Sequence, residues 1–352
     1  PICENSKMPR FFGGENFCPR STAVWTGIPS SWYHLPLVEL TKEKKGYNLC
    51  FNLTKDIDLK NLINQLVFDV KPAFETFKKP IMRQDFPSYS NWEKNISHCL
   101  GLIKKKTLKK VVLARLTRFE FSSALNPYQI LRKLPKSSDE ISLFCFEFRK
   151  GLSFLGASPE ILYRKSGRHI TSSAVAGTRP RGKNPSEDKK LRLELLNSFK
   201  DLHEFQVVED HISKRLSVLC ETLTKHLSQT IVKTPSVQHI TSTFEGKLKG
   251  NLSDRDIIKI LQPTPAVCGH PKNRALDIIK EKEPFDRGWY SAPIGWISGD
   301  KAHFLVGIRS SLIKDSTLHL FAATGIVTGS IPTDEWAELE HKMSQFKIWN
   351  KK

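Results

Sequence analysis

Short runs of mainly hydrophobic residues dominate the centre of the chain, and these runs predict β-strands. They are rich in β-branched and aromatic residues and are separated by turn residues. The clearest cover residues 110–121, 141–148, 152–156, 161–165 and 169–176, and a second strand-rich block spans 237–330, with 303–313 and 317–326 as strands. The N-terminal third, to about residue 95, is weaker, with an alternating run at 47–53 and a helical stretch at 58–70.

Apolar residues at helical spacing predict two further helices, one after each strand block. The first begins near Ser186, a candidate N-cap, and runs to about Cys220. The second opens after Pro332 with Thr333 as a candidate N-cap and reaches about Trp349. Strand blocks that are each followed by a helix indicate antiparallel sheets covered by helices, an α/β fold of the α+β type, rather than a doubly wound parallel sheet.

Composition and charge narrow the class of protein. With 352 residues, 39% of them hydrophobic, the chain is long enough to bury a large core and is not a disordered protein. We find no apolar stretch long enough to span a membrane and no signal-peptide core in residues 1–10, so we expect a cytoplasmic protein without a membrane partner. The seven cysteines are scattered and odd in number, which favours reduced thiols.

The excess of basic residues predicts that the protein attracts anions, but it does not identify the anion. There are 55 Lys and Arg against 36 Asp and Glu, a net charge of +19. Nucleic acid is a weak interpretation, because zinc-finger, basic-zipper and ribonucleoprotein signatures are all missing from the sequence. A small polyanionic metabolite satisfies the same charge.

Acidic pairs on the two helices suggest a metal site. Asp201 and Glu204 share one face of the first helix, and Glu335, Glu338 and Lys342 share one face of the last. Two such faces could hold a hard divalent cation such as Mg²⁺, although each pair alone is more commonly a solvated helix face. Glycine turns at 175–182 and 325–330 would let backbone N–H groups approach an anion, and neither matches a nucleotide-binding motif.

Eight segments in order give the chain a family resemblance. From about residue 109 to 343 it resembles the chorismate-utilising enzymes, which include isochorismate, salicylate, anthranilate and aminodeoxychorismate synthases. The matching segments are KVVLAR (110–115), GASPE (156–160), AGTRPRG (176–182), KDLHEFQVV (200–208), PTPAVCG (263–269), RGWYSAPIG (287–295), GIVTGS (325–330) and EWAELEHK (335–342). The resemblance implies one chorismate-binding domain over 1–352, with a less certain part at 1–95 and the catalytic part at 96–352. It also implies antiparallel sheets packed face to face with helices outside.

The residue types within these segments point to one branch of that family. By resemblance, a lysine at the position of Lys110 activates water, whereas anthranilate synthases have glutamine there. Aminodeoxychorismate synthases have a nucleophilic lysine where this chain has Ala176. Water is therefore the implied nucleophile, and we expect isochorismate synthase activity with no glutamine amidotransferase subunit. Salicylate synthase is the close alternative, and a catalytically silent relative or a basic nucleic-acid-binding protein is the alternative from another class.

The resemblance also assigns roles to individual residues. Lys110 would be the general base and Glu160 the general acid for adding water at C2 of chorismate and expelling the C4 hydroxyl. Mg²⁺ would be held by Glu204 and Glu338, supported by Asp201 and Glu335. The implied substrate-binding residues are Gly177, Thr264, Tyr290, Arg309, Gly325 and Lys342. We expect a monomer or a weak dimer.

The chain departs from the family pattern near the implied pocket. Ala323 stands where many relatives have glycine, and Gln262 stands where histidine is common. Ala323 adds a methyl group close to the expected position of a substrate carboxylate, so both changes bear on affinity.

Overall fold

The computed structural model describes residues 8–18, 23–44, 46–67, 78–135, 141–233 and 237–350. Its strands are β1 Phe11–Glu15, β2 Ser31–His34, β3 Val38–Glu43, β4 Gly46–Phe51, β5 Met82–Phe86, β6 Lys110–Glu120, β7 Ser142–Arg149, β8 Leu152–Ser158, β9 Ile161–Ser166, β10 His169–Pro180, β11 Cys220–Lys233, β12 Val237–Leu248, β13 Gly269–His270, β14 Pro293–Ser298, β15 Lys301–Val306, β16 Ser310–Lys314 and β17 Thr317–Ile326. Its α-helices are α1 Leu59–Asn64, α2 Tyr89–Lys104, α3 Pro127–Lys133, α4 Pro185–Asn197, α5 Phe199–Leu219, α6 Asp254–Leu261, α7 Lys272–Lys282 and α8 Pro332–Met343.

Two antiparallel sheets form the centre of the molecule. An eight-stranded sheet has the order β11-β12-β10-β9-β15-β14-β1-β2, and a seven-stranded sheet has the order β13-β6-β17-β16-β8-β7 with β5 also paired to β6. One core joins the two sheets, since Ile294 and Leu305 of the first pack with Phe154, Leu312 and Phe321 of the second. The face-to-face packing predicted from the family resemblance is confirmed.

Helices cover the outer face of each sheet. Side chains from α2, α7 and α8 bury a second core against the seven-stranded sheet, and those from α5 and α6 bury a third against the eight-stranded sheet. The result is a four-layer arrangement of helices, sheet, sheet and helices. Within the described residues, no helix has both the length and the apolarity needed to cross a bilayer.

The chain crosses from one sheet to the other at two places that carry predicted site residues. Pro159 and Glu160 connect β8 of the seven-stranded sheet to β9 of the eight-stranded sheet. Arg309 lies where β15 ends and β16 begins, with a left-handed φ of 51°. The single strand predicted over 303–313 is therefore wrong, because the backbone turns at Arg309 to change sheets.

Two of the predicted helices differ from the structure at their ends. The helix predicted from Ser186 to Cys220 is two helices, and Ser198 caps the second by accepting a hydrogen bond from the Asp201 N–H at 3.3 Å. The cap of α4 is Asn184 rather than Ser186. The last helix has no side-chain cap and ends at Met343. The helical stretch predicted at 58–70 is helical only at Leu59–Asn64, and residues 68–70 lie outside the described part.

Candidate active site

One cavity lies among the two sheet crossings, the end of β17 and the helices α5 and α8. Its empty volume, which includes space open to solvent, is about 740 Å³. Residues that the sequence singled out contribute a large share of its wall. Those predicted site residues are Glu160, Gly177, Glu204, Tyr290, Arg309, Gly325, Glu338 and Lys342.

Lys110 is a fully buried lysine at the first position of β6. Its strand lies between β13 and β17, where His270 pairs with Lys110 itself and Ile326 pairs with Val111. The ammonium Nζ lies 2.8 Å from Oε1 of Glu204, a residue that lines the cavity. A lysine is rarely buried unless it is paired, so this ion pair explains how the strand accommodates the charge.

Glu160 is held rigidly at the first sheet crossing. Its carbonyl accepts the Val306 N–H at 3.0 Å, and its own N–H donates to Ser158 Oγ at 3.2 Å. Burial raises the pKa of the Glu160 carboxyl to about 7, and the nearby charge of Lys110 offsets only part of that rise. A carboxylic acid that keeps its proton near neutral pH is suited to general-acid chemistry.

Two glycines shape the cavity for reasons that the packing makes clear. At Gly177 a β-bulge interrupts the pairing of β10 with β12, and its φ of +68° suits glycine. At Gly325 a Cβ would stand 2.3 Å from Glu204 Oε1 and 2.8 Å from Lys110 Cε. A side chain at this position would therefore force the Glu204 and Lys110 side chains, and with them the ion pair, to shift.

The four acids of the predicted metal site divide into two kinds. Glu204 and Glu338 line the cavity, and each is paired with one lysine: Glu204 with Lys110, and Glu338 Oε1 with Lys342 Nζ at 2.5 Å. Burial works to raise the pKa of Glu338, but the surrounding cations, Lys342 first, hold it below its usual range. Two carboxylates with the remaining positions left to water and ligand oxygens match what Mg²⁺ accepts, so these residues fit that ion.

Asp201 and Glu335 lie behind the cavity wall. Arg179 donates to Asp201 Oδ2 at 2.6 Å. Glu335 is 1% exposed, and its two oxygens accept hydrogen bonds from Lys200 Nζ at 2.6 Å and Thr324 Oγ1 at 2.5 Å. In the described parts of the chain, no three His, Cys, Asp or Glu side chains converge into a complete metal centre. The geometry therefore gives Asp201 and Glu335 supporting positions rather than contact with the cavity.

Positively charged and polar groups also line the cavity. Among the described residues, the Arg309 guanidinium forms no hydrogen bond or ion pair, and it borders the cavity near Tyr290 and Glu338. Tyr290 stacks on Phe321 with ring centroids 5.1 Å apart, and burial raises the pKa of its hydroxyl to about 12. Lys342 also donates to the Ala323 carbonyl at 2.8 Å. An uncommitted guanidinium beside a neutral phenol is suited to binding a carboxylate.

The PTPAVCG segment contributes Ala266 and Val267 to the cavity wall, but Thr264 of this segment and the preceding Gln262 are not among the described lining residues. Thr264 is buried, and its carbonyl accepts the N–H groups of Val267 and Cys268. Gln262 is 8% exposed, and its side-chain amide has no partner within the described parts of the chain. Ala323, in contrast, lines the cavity, so the departure from the family glycine faces the site.

Sequence reasoning missed two residues of this region. His239 lines the cavity opposite Thr178 on the paired strand, and its Nδ1 lies 3.1 Å from Thr178 Oγ1. Burial, aided by the charge of Arg309, lowers the pKa of His239 to about 3, so its imidazole is neutral. Lys200, the partner of Glu335, is the second. The sequence did offer a signal for each. Lys200 is the first residue of the quoted segment 200–208, and His239 lies on the strand that pairs with the quoted segment 176–182.

Comparison with known proteins identifies the family of the chain. A family model described as chorismate binding enzyme matches residues 2–347. The chain belongs to this chorismate-binding family. It is 35% identical over 345 residues to isochorismate synthase MenF of Bacillus subtilis, covering 95% of this chain and 73% of that protein. It is 33% identical over 363 residues to the chloroplastic isochorismate synthase 2 of Arabidopsis thaliana, covering 98% of this chain and 65% of that protein.

A solved structure of the chorismate-binding family has the same fold. The menaquinone-specific isochorismate synthase MenF of Escherichia coli superposes with a TM-score of 0.85 at 28% identity, covering 97% of this chain and 78% of that chain. This chain spans less than two thirds of the length of the Arabidopsis relative and more than two thirds of both bacterial ones. The family and fold predicted from the eight segments are confirmed.

Proposed function

We propose that this member of the chorismate-binding family is an isochorismate synthase. It would convert chorismate into isochorismate by adding water at C2 of the ring and releasing the C4 hydroxyl. The observation that carries the proposal is the nearness of a buried lysine and a buried glutamic acid at one cavity. Glu160, in the connection between β8 and β9, lines the cavity, and Lys110 of β6 reaches the cavity wall through its ion pair with Glu204 and lies close enough for its charge to act on the Glu160 carboxyl. The relatives named isochorismate synthase support the same choice within the family.

Lys110 and Glu160 supply the two proton transfers of the reaction. Lys110 in its amine form takes a proton from the attacking water, and Glu160 in its acid form gives one to the departing hydroxyl. With the pKa of Glu160 at about 7, a substantial fraction of the protein carries the acid form at neutral pH. Such positioned acid and base groups typically contribute about 10²- to 10⁴-fold each to the rate.

The other lining residues hold the substrate between these two groups. Chorismate carries two carboxylates, and the uncommitted Arg309 guanidinium and the Lys342 ammonium are the cations that border the cavity. The backbone at Gly177 and Gly325 can approach the ligand because neither residue has a side chain there. Fixing both carboxylates orients the ring so that the base and the acid reach their atoms.

We include Mg²⁺ in the proposal, held by Glu204 and Glu338 with Asp201 and Glu335 behind them. When bound, the ion would neutralise a substrate carboxylate and hold it in place. The chain's own residues then set the position of the ring and exchange the protons. We further propose a cytoplasmic monomer or weak dimer that acts without an amidotransferase subunit, since water rather than ammonia is the nucleophile.

The test is a product analysis with chorismate and Mg²⁺. The purified protein is incubated with both, and the products are separated by liquid chromatography with standards for isochorismate, salicylate and pyruvate. Isochorismate alone is the expected result. Salicylate with pyruvate would replace the proposal by salicylate synthase, and unchanged chorismate together with salt-sensitive retention of DNA would replace it by a binding protein.

A further inference from the structure

Lys200 lies beside the acids of the predicted metal site, but the proposed reaction gives it no role. It is the second residue of α5, and its Nζ lies 2.6 Å from Glu335 Oε1. Its side chain is 33% exposed, whereas that of Glu335 is 1% exposed. The described lining residues of the cavity do not include Lys200, so its ammonium acts on the acids rather than on the substrate.

The Lys200–Glu335 pair is connected to the wall of the cavity. The second oxygen of Glu335 accepts a hydrogen bond from Thr324 Oγ1 at 2.5 Å. Thr324 is followed by Gly325, whose Cα faces Glu204 Oε1 so closely that a Cβ would stand 2.3 Å from it. Lys200 therefore holds the Glu335 carboxylate, which is also hydrogen-bonded to Thr324 in the part of β17 that lines the cavity.

Lys200 also lies in the field of the two acids proposed to hold the metal. Its ammonium forms an ion pair with Glu335 and also interacts electrostatically with Glu338 and Glu204. This positive charge is thus near three carboxylates, two of which line the cavity. A divalent cation bound by Glu204 and Glu338 would enter the repulsive field of this fixed positive charge.

The other pairs around the cavity differ from this one in what they do. Lys110 pairs with Glu204, and Lys342 pairs with Glu338. In the proposed function, Lys110 acts on the attacking water and Lys342 binds the substrate. Glu335, in contrast, has both oxygens engaged behind the cavity wall, one by Lys200 and the other by Thr324.

We propose that Lys200 is a positioning residue that sets the divalent-cation affinity of the site. It does so by compensating Glu335, which stays out of the coordination sphere, and by repelling the cation held at Glu204 and Glu338. This inference rests on the proposed Mg²⁺ site. It assigns opposite effects to the two members of one ion pair, which a purely structural role would not produce.

The test measures Mn²⁺ binding, with Mg²⁺ as competitor, by the electron paramagnetic resonance signal of free Mn²⁺ and without substrate. Lys200→Met should tighten binding by roughly tenfold, because a repelling charge is gone and the Glu335 carboxylate is uncompensated. Glu335→Gln should weaken binding to a similar degree, because it leaves the ammonium uncompensated. The double variant should lie within about twofold of the wild type, since it removes a neutral pair.

Three further variants test whether the change in binding is due to the charge of Lys200. Lys200→Arg keeps the charge and should bind Mn²⁺ like the wild type, and Lys214→Met removes an exposed lysine of the same helix and should change nothing. Lys200→Gln keeps a donor toward Glu335 without charge, and it gives the answer if Lys200→Met does not fold. Weakened or unchanged binding by the uncharged Lys200 variants overturns the inference while leaving the proposed function intact. Absence of Mn²⁺ and Mg²⁺ binding by the wild type overturns the metal site and this inference with it.

Discussion

Replacing Glu160 by glutamine should remove activity and yet stabilise the protein at neutral and higher pH. The buried carboxyl has a pKa of about 7 against an ordinary value of 4.5, because burial disfavours the charged form. In the unfolded chain the carboxyl loses its proton as the pH rises above 4.5, whereas in the folded protein it keeps the proton up to about pH 7. Folding therefore takes up a proton between these two pH values. The free energy of unfolding contributed by this group therefore falls as the pH rises from 4.5 to about 7.

The size of the effect follows from the same two values. Each pKa unit corresponds to about 1.4 kcal/mol, so above pH 7 the ionised Glu160 lowers the free energy of unfolding by about 3 kcal/mol at most. Glutamine has nearly the same shape and no charge to bury. Glu160→Gln should thus be more stable than the wild type by up to that amount at pH 8, and the difference should nearly vanish at pH 4.5.

The assay is urea unfolding at three pH values, paired with chorismate turnover. Glu194→Gln, which changes an exposed glutamate of α4, serves as the matched control and should alter neither quantity. Turnover by Glu160→Gln should fall by about 10²-fold or more, and wild-type kcat/KM should decline above pH 7 as the acid form is lost. A stability difference that does not change with pH, or near-normal turnover by Glu160→Gln, would refute the reasoning.

Four other outcomes test the site. Lys110→Ala should fold but lose about 10²-fold or more of the turnover, whereas Lys109→Ala, its exposed neighbour, should retain it; equal activity in both variants would remove Lys110 as the base. Gly325→Ala should lower kcat, because its Cβ would meet Glu204 Oε1 at 2.3 Å, while Gly101→Ala, with nothing within 4 Å, should be silent in the same assay. Arg309→Met should raise KM by about tenfold or more with a smaller change in kcat, as expected for a lost charged hydrogen bond to a carboxylate. Treatment with EDTA should abolish turnover and added Mg²⁺ should restore it, and turnover that persists in EDTA counts against the metal.

Local signals in the sequence predicted many of the strands and helices, and the family resemblance supplied eight of the residues that line the cavity. Runs of β-branched and aromatic residues placed β6 and β9 within one residue of their observed bounds, whereas β10 continues four residues beyond its predicted end at Ala176. The break between α4 and α5 was missed because the apolar positions continue at helical spacing through Ser198. The turn at Arg309 was missed for a similar reason, as its neighbours on both sides are strand-forming.

By itself, the sequence determined the eight motifs, their order, and the helical spacing that puts two acids on one face of α5 and two on one face of α8. Spacing along one element decides which side chains share a face, but not what that face meets. Only the tertiary structure decided that Glu204 and Glu338 line the cavity while Asp201 and Glu335 are held behind it by Arg179 and Lys200. Those pairings join residues up to 135 positions apart, and they depend on how two sheets and two helices pack rather than on any local pattern.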